Sequence, residues 1–185
     1  MLTPWESAQE FAISLATPDD VPILRELIAQ SVRALQANDY SAAQREAALG
    51  TVFGVDTQLI RDGTYYVVRR HSEIVGCGGW SRRRTLFGSD QRAGREDALL
   101  DATTDAARIR AFFVRPGWER RGIGSLIMDT CEAAARAEGF RRLELGSTLT
   151  GIGLYRAYGF TSEEEITVPL GDGLTLPIVK MSKAL

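Results

Sequence analysis

Apolar positions along the chain follow two spacings. In the longer segments they recur every three or four residues, which is typical of helices that pack one face against a core. The first of these segments opens with Thr17, a good capping residue, and Pro18, whose fixed φ suits the first helical turn. The predicted helices are Thr17–Leu35, Ser41–Leu49, Gly122–Ala137 and the short Thr150–Tyr158, with a loop at Asn38-Asp39-Tyr40.

Other segments are rich in β-branched and aromatic residues and predict strands. Along Arg108–Val114, Ile109, Ala111 and Phe113 alternate with their neighbours, as expected for a strand in the middle of a sheet. The remaining strands are predicted around Ile13 and Leu15, at Thr64–Arg69, at Ile74–Trp80, around Leu143 and Leu145, and in a closing hairpin formed by Phe160–Leu170 and Leu174–Met181 around Gly171-Asp172-Gly173.

Glycines interrupt the second strand of the central hairpin. Gly76, Gly78 and Gly79 lie within Ile74–Trp80, where a side chain would normally pack. Glycine in a strand is typical of a bulge or of a close approach by another group. We therefore expect one of these two features in this strand.

The length of 185 residues suits a single domain, 1–185, because two smaller domains would each bury too little surface. Leu86–Ala106 is polar and charged, with scattered glycines and no clear periodicity. This segment is predicted to be an insertion or a mobile loop.

Charge gives no support for a nucleic-acid or membrane partner, since the net formal charge is only −2. Arg82-Arg83-Arg84 is the one tight basic cluster, and it is either a solvated loop or a contact for a donor phosphate or an acidic substrate. The chain has no apolar run of membrane-spanning length and no basic segment before an apolar stretch at its start. We expect a cytoplasmic protein.

Metal-binding side chains are scarce. The chain has two cysteines, Cys77 and Cys131, and one histidine, His71, too few for a usual zinc site. We expect no metal, buried free thiols and a surface position for His71 in a hairpin turn.

A phosphate-binding turn is the strongest local signal. Arg120–Ser125 places a G-x-G pair between an apolar strand and a helix, where backbone N–H groups can point at an anion. A dinucleotide fingerprint does not fit, because Ile127 stands where the third glycine belongs, and the chain has no Gly-Lys pair for a Walker loop. Alone, the pair is a weak signal, and a plain strand-to-helix turn would explain it as well or better.

Two motifs together carry a family resemblance. Val114–Leu126, with the sequence V-R-P-G-W-E-R-R-G-I-G-S-L, resembles the coenzyme A signature of the GNAT superfamily of acyl-CoA-dependent N-acetyltransferases. Leu154–Phe160 is similar to that family's second hallmark, L-Y-x-x-x-G-F. Glu119 departs from the usual Arg or Gln at its position, and we expect it to weaken donor affinity.

The resemblance implies an α/β fold in which helices flank a mixed, mostly antiparallel central sheet, splayed around the acyl-CoA site. It further implies direct transfer of an acetyl group from acetyl-CoA to an amine of a small molecule or peptide, through a tetrahedral intermediate. In this scheme Phe113 and Val114 pair their backbone with the pantetheine arm, and Thr150 caps a helix or bonds that arm. The residues expected to hold the pyrophosphate are Arg120, Arg121, Gly122, Ile123, Gly124 and Ser125.

By the same resemblance Tyr155 is the general acid, since a phenol with a pKa near 10 can protonate the departing thiolate. Tyr158 and Phe160 are expected to pack. The general base stays open between Glu144, which could instead face solvent, and a bound water. The acceptor pocket is expected between the first two helices and the Gly78-Gly79-Trp80 strand, with Tyr40, Trp80 and Arg82 as candidate residues that could also be structural.

Two other functions are compatible with the sequence. One is a non-catalytic acyl-CoA sensor with the same fold, and the other is a generic α/β domain without affinity for coenzyme A. The edge of the closing hairpin could also pair two copies as a homodimer.

Overall fold

The computed structural model describes residues 11–185, in which seven strands form one sheet. The strands are β1 Ala12–Leu15, β2 Tyr65–Arg70, β3 Glu73–Ser81, β4 Ala107–Val114, β5 Arg142–Thr148, β6 Thr161–Gly171 and β7 Leu174–Ala184. The helices are α1 Val21–Leu35, α2 Ala42–Ala48, α3 Thr57–Arg61, α4 Ile123–Ala137 and α5 Ile152–Ala157, with short 3-10 turns at Pro18–Asp20 and Leu149–Gly151.

The sheet has the order β1-β2-β3-β4-β5-β7-β6, so β1 and β6 are its two edges. The neighbouring strands pair antiparallel except for β4 and β5, which run parallel. The predicted mixed, mostly antiparallel sheet is therefore confirmed. Pairing of two copies through the β6 edge stays a prediction.

The parallel pair in the middle of the sheet separates after a short contact. β4 and β5 are in register only at Ala107 with Leu143 and at Arg108 with Glu144. Beyond those pairs β4 continues to Val114 with β3 as its remaining neighbour, and β5 continues to Thr148 with β7. The sheet consequently opens in a V between the ends of the two strands, which confirms the predicted splay.

A bulge in β4 changes which side chains face which side of the sheet. The β3–β4 register shifts between Cys77 and Gly79, and Ala111 opposite the shift has a φ of 55°. Ile109 therefore packs in the core beside α4, whereas Phe113 packs in the core beside α1. The simple alternation predicted along this strand is wrong, because the extra residue of a bulge moves the following side chains to the opposite face.

The glycines of β3 accommodate that bulge. A Cβ atom at Gly78 would lie 2.5 Å from the Phe112 ring, and one at Gly76 would lie 2.4 Å from the Ile123 side chain. The close approach predicted for this strand is present, and so is a bulge, because the β2–β3 register shifts between Val68 and Arg69 where β3 has one extra residue.

Two hydrophobic cores lie on the two faces of the sheet. Leu24, Leu27, Ile28 and Val32 attach α1 to one face, and the buried residues of α4, which include Ile127 and Cys131, attach that helix to the other. Both helices therefore pack one apolar face against the sheet, as their 3.6-residue spacing predicts.

Local signals set most helix starts, and one helix was not predicted. A capping box between Thr17 and Asp20 starts the Pro18–Asp20 turn that leads into α1, and the Ser41 hydroxyl accepts a hydrogen bond from Gln44 at the start of α2. Asp56 caps α3, which has only five residues and so shows no apolar period. The closing hairpin turns at Asp172, as predicted.

The two cysteines and the single histidine lie where the sequence predicts. Cys77 and Cys131 are buried free thiols, and burial raises the pKa of Cys77 to about 12. His71 is exposed between β2 and β3. In residues 11–185 no helix is long and apolar enough to cross a membrane, and no three His, Cys, Asp or Glu side chains are grouped to hold a metal.

Ion pairs tie the 86–106 segment to the sheet. Asp56 lies between two arginines, at 3.0 Å from Arg95 of that segment and 2.8 Å from Arg110 of β4. Ser89 is also buried and donates a hydrogen bond to the Gly50 carbonyl at 2.6 Å. The mobility expected for this segment stays a prediction, but its contacts place it beside β4.

We predict that Asp56→Asn lowers the free energy of unfolding by about 3 kcal/mol, because it leaves the buried Arg110 guanidinium without a counter-charge and leaves Arg95 with Asp97 as its only carboxylate partner among residues 11–185. Asparagine caps helices as well as aspartate does, so the start of α3 is preserved. Urea denaturation monitored by circular dichroism measures the change.

Glu46→Gln is the matched control. It breaks an ion pair with Arg33 whose side chains are 54% and 56% exposed, and pairs of this kind contribute at most about 1 kcal/mol. Equal effects of the two substitutions would show that the Asp56 pairs do not hold the segment.

Candidate functional site

The V between β4 and β5 opens into a cavity of about 650 Å³. Its walls come from the end of β4, the loop and first turn of α4, the start of α5 and the last turn of α1. These elements meet here because the two strands no longer pair. Most of the predicted donor-binding residues line it: Phe113, Val114, Arg120, Gly122, Ile123, Gly124, Ser125 and Thr150.

The loop before α4 has the geometry of an anion cradle. Arg120 and Gly122 both have positive φ, 62° and 84°, and no side chain caps the helix. The first N–H groups of an α-helix lack intrahelical partners, so those of α4 are available to a ligand, with the positive end of the dipole behind them. Glu119 also lines this cavity.

Arg121 lies apart from the other predicted donor-binding residues. It is exposed, does not line the cavity, and its guanidinium lies 4.8 Å from the centre of the Trp118 ring. Trp118 itself lines the cavity. Arg121 therefore packs against a lining residue and does not contact the cavity directly.

A backbone slot runs along the end of β4. Phe113 and Val114 pair with Cys77 and Gly76 of β3 on one side, while the side that would face β5 has no strand partner in this part of the chain. Such an exposed strand edge can pair with an extended group that carries amides. The cavity thus combines an anion cradle with a slot for an amide-bearing arm.

A second, smaller cavity of about 80 Å³ lies on the α1 side of the sheet. Residues 52–54, residues 86–88 and Ile178 of β7 contribute to its walls. Asp56 and its two arginines therefore hold one wall of this cavity in place. The two cavities share the residues Gln36, Phe112, Phe113, Thr148 and Tyr155.

Tyr155 stands where the two cavities meet. Its ring packs against Phe112 and Phe160, with ring centres 6.2 and 5.8 Å away, and its hydroxyl forms no hydrogen bond with residues 11–185. Burial, and to a smaller extent the Cys131 thiol, raise the pKa of this phenol well above its ordinary value. The Tyr155 hydroxyl is therefore protonated and does not donate a hydrogen bond to any of residues 11–185.

Comparison with known proteins fixes the family. The model of the Acetyltransferase (GNAT) family matches residues 29–160, which include both motifs and most of the cavity walls. The chain belongs to the GNAT family. The resemblance read from the two motifs is therefore confirmed.

Solved structures of GNAT proteins have the same fold. A GCN5-related N-acetyltransferase from Rhodopseudomonas palustris superposes with a TM-score of 0.70 at 20% identity, over 94% of this chain and 95% of that one. The PaiA N-acetyltransferase from Thermoplasma acidophilum, in complex with coenzyme A, gives 0.64 at 14% identity, over 95% and 99%. YncA from Salmonella typhimurium, with its cofactor acetyl-CoA, gives 0.58 at 19% identity, over 95% and 94%. A search of curated proteins finds no match.

Two residues at the junction of the cavities, Gln36 and Thr148, carry no signal in the sequence. Thr148 caps the Leu149–Gly151 turn through its hydroxyl, and Gln36 follows the last residue of α1. Neither belongs to a recognised motif, and only the three-dimensional approach of α1 to β5 brings them together. Thr150, which was predicted, lines the donor cavity and donates a hydrogen bond to Asp39 at 2.6 Å.

The three predicted acceptor-pocket residues lie outside both cavities. Trp80 belongs to the core on the α4 side, where its ring packs 6.0 Å from Phe140. Arg82 is paired with Glu138 at 3.1 Å. Tyr40 is buried and donates a hydrogen bond to the Pro177 carbonyl at 2.7 Å. None of the three therefore contributes to the walls of the smaller cavity, which the 52–54 and 86–88 segments help to form.

Glu144, the candidate general base, also lies outside both cavities. Its carboxylate pairs with Arg108 and lies 3.7 Å from Lys180. A carboxylate engaged by several cations on the sheet surface is not free to take a proton from a substrate. Its role is to hold strands β4, β5 and β7 together.

We predict that Gly122→Ala raises the Kd for acetyl-CoA at least tenfold. The added methyl group would occupy open space beside the anion cradle, and a φ of 84° strains any residue other than glycine. Isothermal titration calorimetry measures the affinity.

Gly117→Ala controls for backbone strain alone. Gly117 has a φ of 88° and open space around it, as Gly122 does, but it does not line the cavity. We expect the two variants to lose similar amounts of stability and only Gly122→Ala to lose affinity for acetyl-CoA. If both variants lost affinity equally, the loop before α4 would not be the part of the cavity that binds the donor.

Proposed function

We propose that this GNAT protein transfers an acetyl group directly from acetyl-CoA to the amine of a small molecule or a peptide terminus. The observation that carries the proposal is the meeting of a large and a small cavity at Tyr155, on opposite faces of the splayed sheet. Direct transfer needs donor and acceptor to approach one point from two directions, and this arrangement supplies both approaches.

The larger cavity suits the donor. In our proposal the N–H groups at the start of α4 bind the pyrophosphate, and the free edge of Phe113 and Val114 pairs with the amides of the pantetheine arm. The thioester then lies beside Phe112 and Tyr155. The coenzyme A and acetyl-CoA in the PaiA and YncA structures support this assignment by analogy of fold.

The chemistry follows from these positions. The amine nitrogen, entering through the smaller cavity, attacks the thioester carbon, and the backbone N–H near Val114 stabilises the oxyanion of the tetrahedral intermediate. The C–S bond then breaks, and Tyr155 gives its proton to the thiolate sulfur. The proton lost by the amine nitrogen goes to water, because none of the described residues lining the smaller cavity is an Asp or Glu.

The raised pKa of Tyr155 has a direct consequence for this step. A phenol whose pKa lies above its ordinary value of about 10 stays protonated throughout the neutral and mildly alkaline range. The protonated phenol is therefore present at every pH at which part of the amine is deprotonated. The two protonation states that the reaction needs thus coexist over a wide pH range.

We predict that Tyr155→Phe lowers kcat at least tenfold and leaves the KM for acetyl-CoA nearly unchanged. The ring that packs against Phe112 is retained, whereas the proton for the leaving thiolate is lost. Steady-state release of free thiol from acetyl-CoA, with a thiol-reactive dye, measures both constants.

Tyr158→Phe is the matched control on the same helix end. The Tyr158 hydroxyl lies 2.9 Å from the Asp129 carboxylate and 3.1 Å from the Ser125 carbonyl, and Tyr158 lines neither cavity. Its loss should leave kcat within twofold, although the contact with Ser125 allows a change in the KM for acetyl-CoA. If Tyr155→Phe turns over as fast as the native protein, Tyr155 is not the acid. If the native protein binds acetyl-CoA but transfers acetyl to no amine, the chain is an acyl-CoA sensor.

A further inference from the structure

An alanine with a left-handed backbone lies inside strand β4. Among residues 11–185, four residues other than glycine have a positive φ: His71, Ala111, Arg120 and Asp172. His71 and Asp172 form hairpin turns and Arg120 lies in the loop before α4, so Ala111 is the one found within a strand. This conformation costs free energy for any residue with a side chain, and it persists only where neighbouring groups hold it.

Tyr65 of β2 provides the contact that holds Ala111. Its hydroxyl donates a hydrogen bond to the Ala111 carbonyl at 2.9 Å. The Tyr65 side chain is fully buried and lines neither cavity. Burial is the main cause that raises the pKa of this phenol well above its ordinary value, so the hydroxyl remains a donor.

Gly79 of β3 leaves room for the Tyr65 ring to reach β4. Gly79 pairs with Tyr65 on one side and with Arg110, the neighbour of Ala111, on the other. A Cβ atom at Gly79 would lie 2.8 Å from a ring carbon of Tyr65 and 2.3 Å from the Thr64 carbonyl oxygen. The ring therefore crosses β3 at a position where only glycine fits.

The N–H groups at the end of β4 alternate between β3 and the open edge. Directly after this strand, the Arg115 N–H donates to the Val75 carbonyl of β3 at 2.9 Å. Because successive N–H groups of a strand point to opposite sides, those of Val114 and Phe112 point away from β3. They face the edge at which β5 no longer pairs.

The Tyr65 hydrogen bond fixes the Phe112 N–H in that direction. Ala111 and Phe112 have no partner in the β3–β4 register, so the ladder does not hold the peptide between them. The carbonyl of Ala111 and the N–H of Phe112 belong to one planar trans peptide and point in opposite directions. Without the hydroxyl this peptide can rotate to relieve the strained φ of Ala111, which turns the Phe112 N–H away from the open edge.

We propose that Tyr65 is a positioning residue for acetyl transfer, because its hydrogen bond to Ala111 holds the Phe112 N–H towards the thioester oxygen of the donor. This inference rests on the proposed function and adds a residue that neither motif contains. Phe112 lines both cavities, as Tyr155 does, so its N–H lies close to the point where the amine attacks. It acts together with the N–H near Val114.

The effect of this N–H is largest in the tetrahedral intermediate. There the C–N bond has formed, the C–S bond is still intact, and the former thioester oxygen carries a negative charge. A fixed N–H stabilises this charge more than it stabilises the neutral thioester. Loss of the Tyr65 hydroxyl should therefore lower kcat more than it changes the binding of acetyl-CoA.

Tyr65→Phe tests the residue, since it keeps the buried ring and removes the hydroxyl. We expect kcat to fall at least about tenfold and the KM for acetyl-CoA to stay within about twofold. Thiol release is measured with the amine that the native protein acetylates fastest among trialanine, spermidine and 2-phenylethylamine. Tyr66→Phe is the control on the same strand: Tyr66 packs in the core on the α4 side, lines neither cavity, and should keep kcat within about twofold.

Infrared spectroscopy tests the direction of the N–H without any amine. A hydrogen bond from an N–H lowers the stretching frequency of a carbonyl, and carbon-13 at the thioester carbonyl separates its band from those of the protein. We expect the band of bound acetyl-CoA to move to higher frequency in Tyr65→Phe and not in Tyr66→Phe. A hydroxyl with a merely structural role would change the thermal midpoint but not this band. An unchanged band or an unchanged kcat in Tyr65→Phe would overturn the proposal.

Ala111→Gly tests whether Tyr65 acts through this peptide. Glycine adopts a positive φ without strain, so the peptide has less reason to rotate when the hydroxyl is absent. In the Ala111→Gly background we expect Tyr65→Phe to lower kcat at most about threefold, and the relieved strain favours folding of the double variant. An equal loss of kcat in both backgrounds would show that the hydroxyl does not act through Ala111, which contradicts the proposal.

Failure of this inference is distinct from failure of the proposed function. If the native protein acetylates an amine but Tyr65→Phe leaves kcat and the carbonyl band unchanged, only the role of Tyr65 falls. If the native protein does not bind acetyl-CoA, or binds it and acetylates none of the three amines, the proposed transfer and this inference fall together.

Discussion

The bulge in β4 and the separation of β4 from β5 are the constraint on which the rest of the site depends. Continuous pairing of these two strands would close the sheet and divide its faces. Because pairing stops after Arg108 and Glu144, the sheet has an opening between its two faces, and the extra residue at Ala111 turns Phe113 to the α1 side. Gly78 makes this distortion possible, since a side chain there would collide with Phe112.

Residues from distant parts of the chain line both cavities because they meet at this opening. Tyr155 reaches it from α5, Gln36 from the end of α1 and Thr148 from the end of β5, so three elements from different parts of the chain converge on one point. A donor on the α4 side and an acceptor on the α1 side would meet there with little water between them. The ion pairs of Asp56 complete the arrangement by holding the 86–88 wall against β4.

Local signals in the sequence were enough to suggest the proposed donor side. The G-x-G turn and Tyr155 lie in short contiguous motifs, and the periodicity of α1 and α4 follows from burial on one face. The smaller cavity depends on contacts between distant residues, such as Asp56 with Arg110, which leave no periodic trace. The sequence therefore pointed to Trp80, Arg82 and Tyr40, which line neither cavity, and the alternation along β4 failed because a bulge is not visible in an apolar pattern.

The most direct test of the donor site is the thermal unfolding midpoint with and without saturating acetyl-CoA, with ATP and NADH as controls for general phosphate binding. A ligand at one hundred times its Kd adds about 2.7 kcal/mol, which should raise the midpoint by roughly 5 to 10 °C for a domain of this size. We expect that rise with acetyl-CoA alone. No rise, or an equal rise with all three ligands, would contradict the assignment of the large cavity to an acyl-CoA donor.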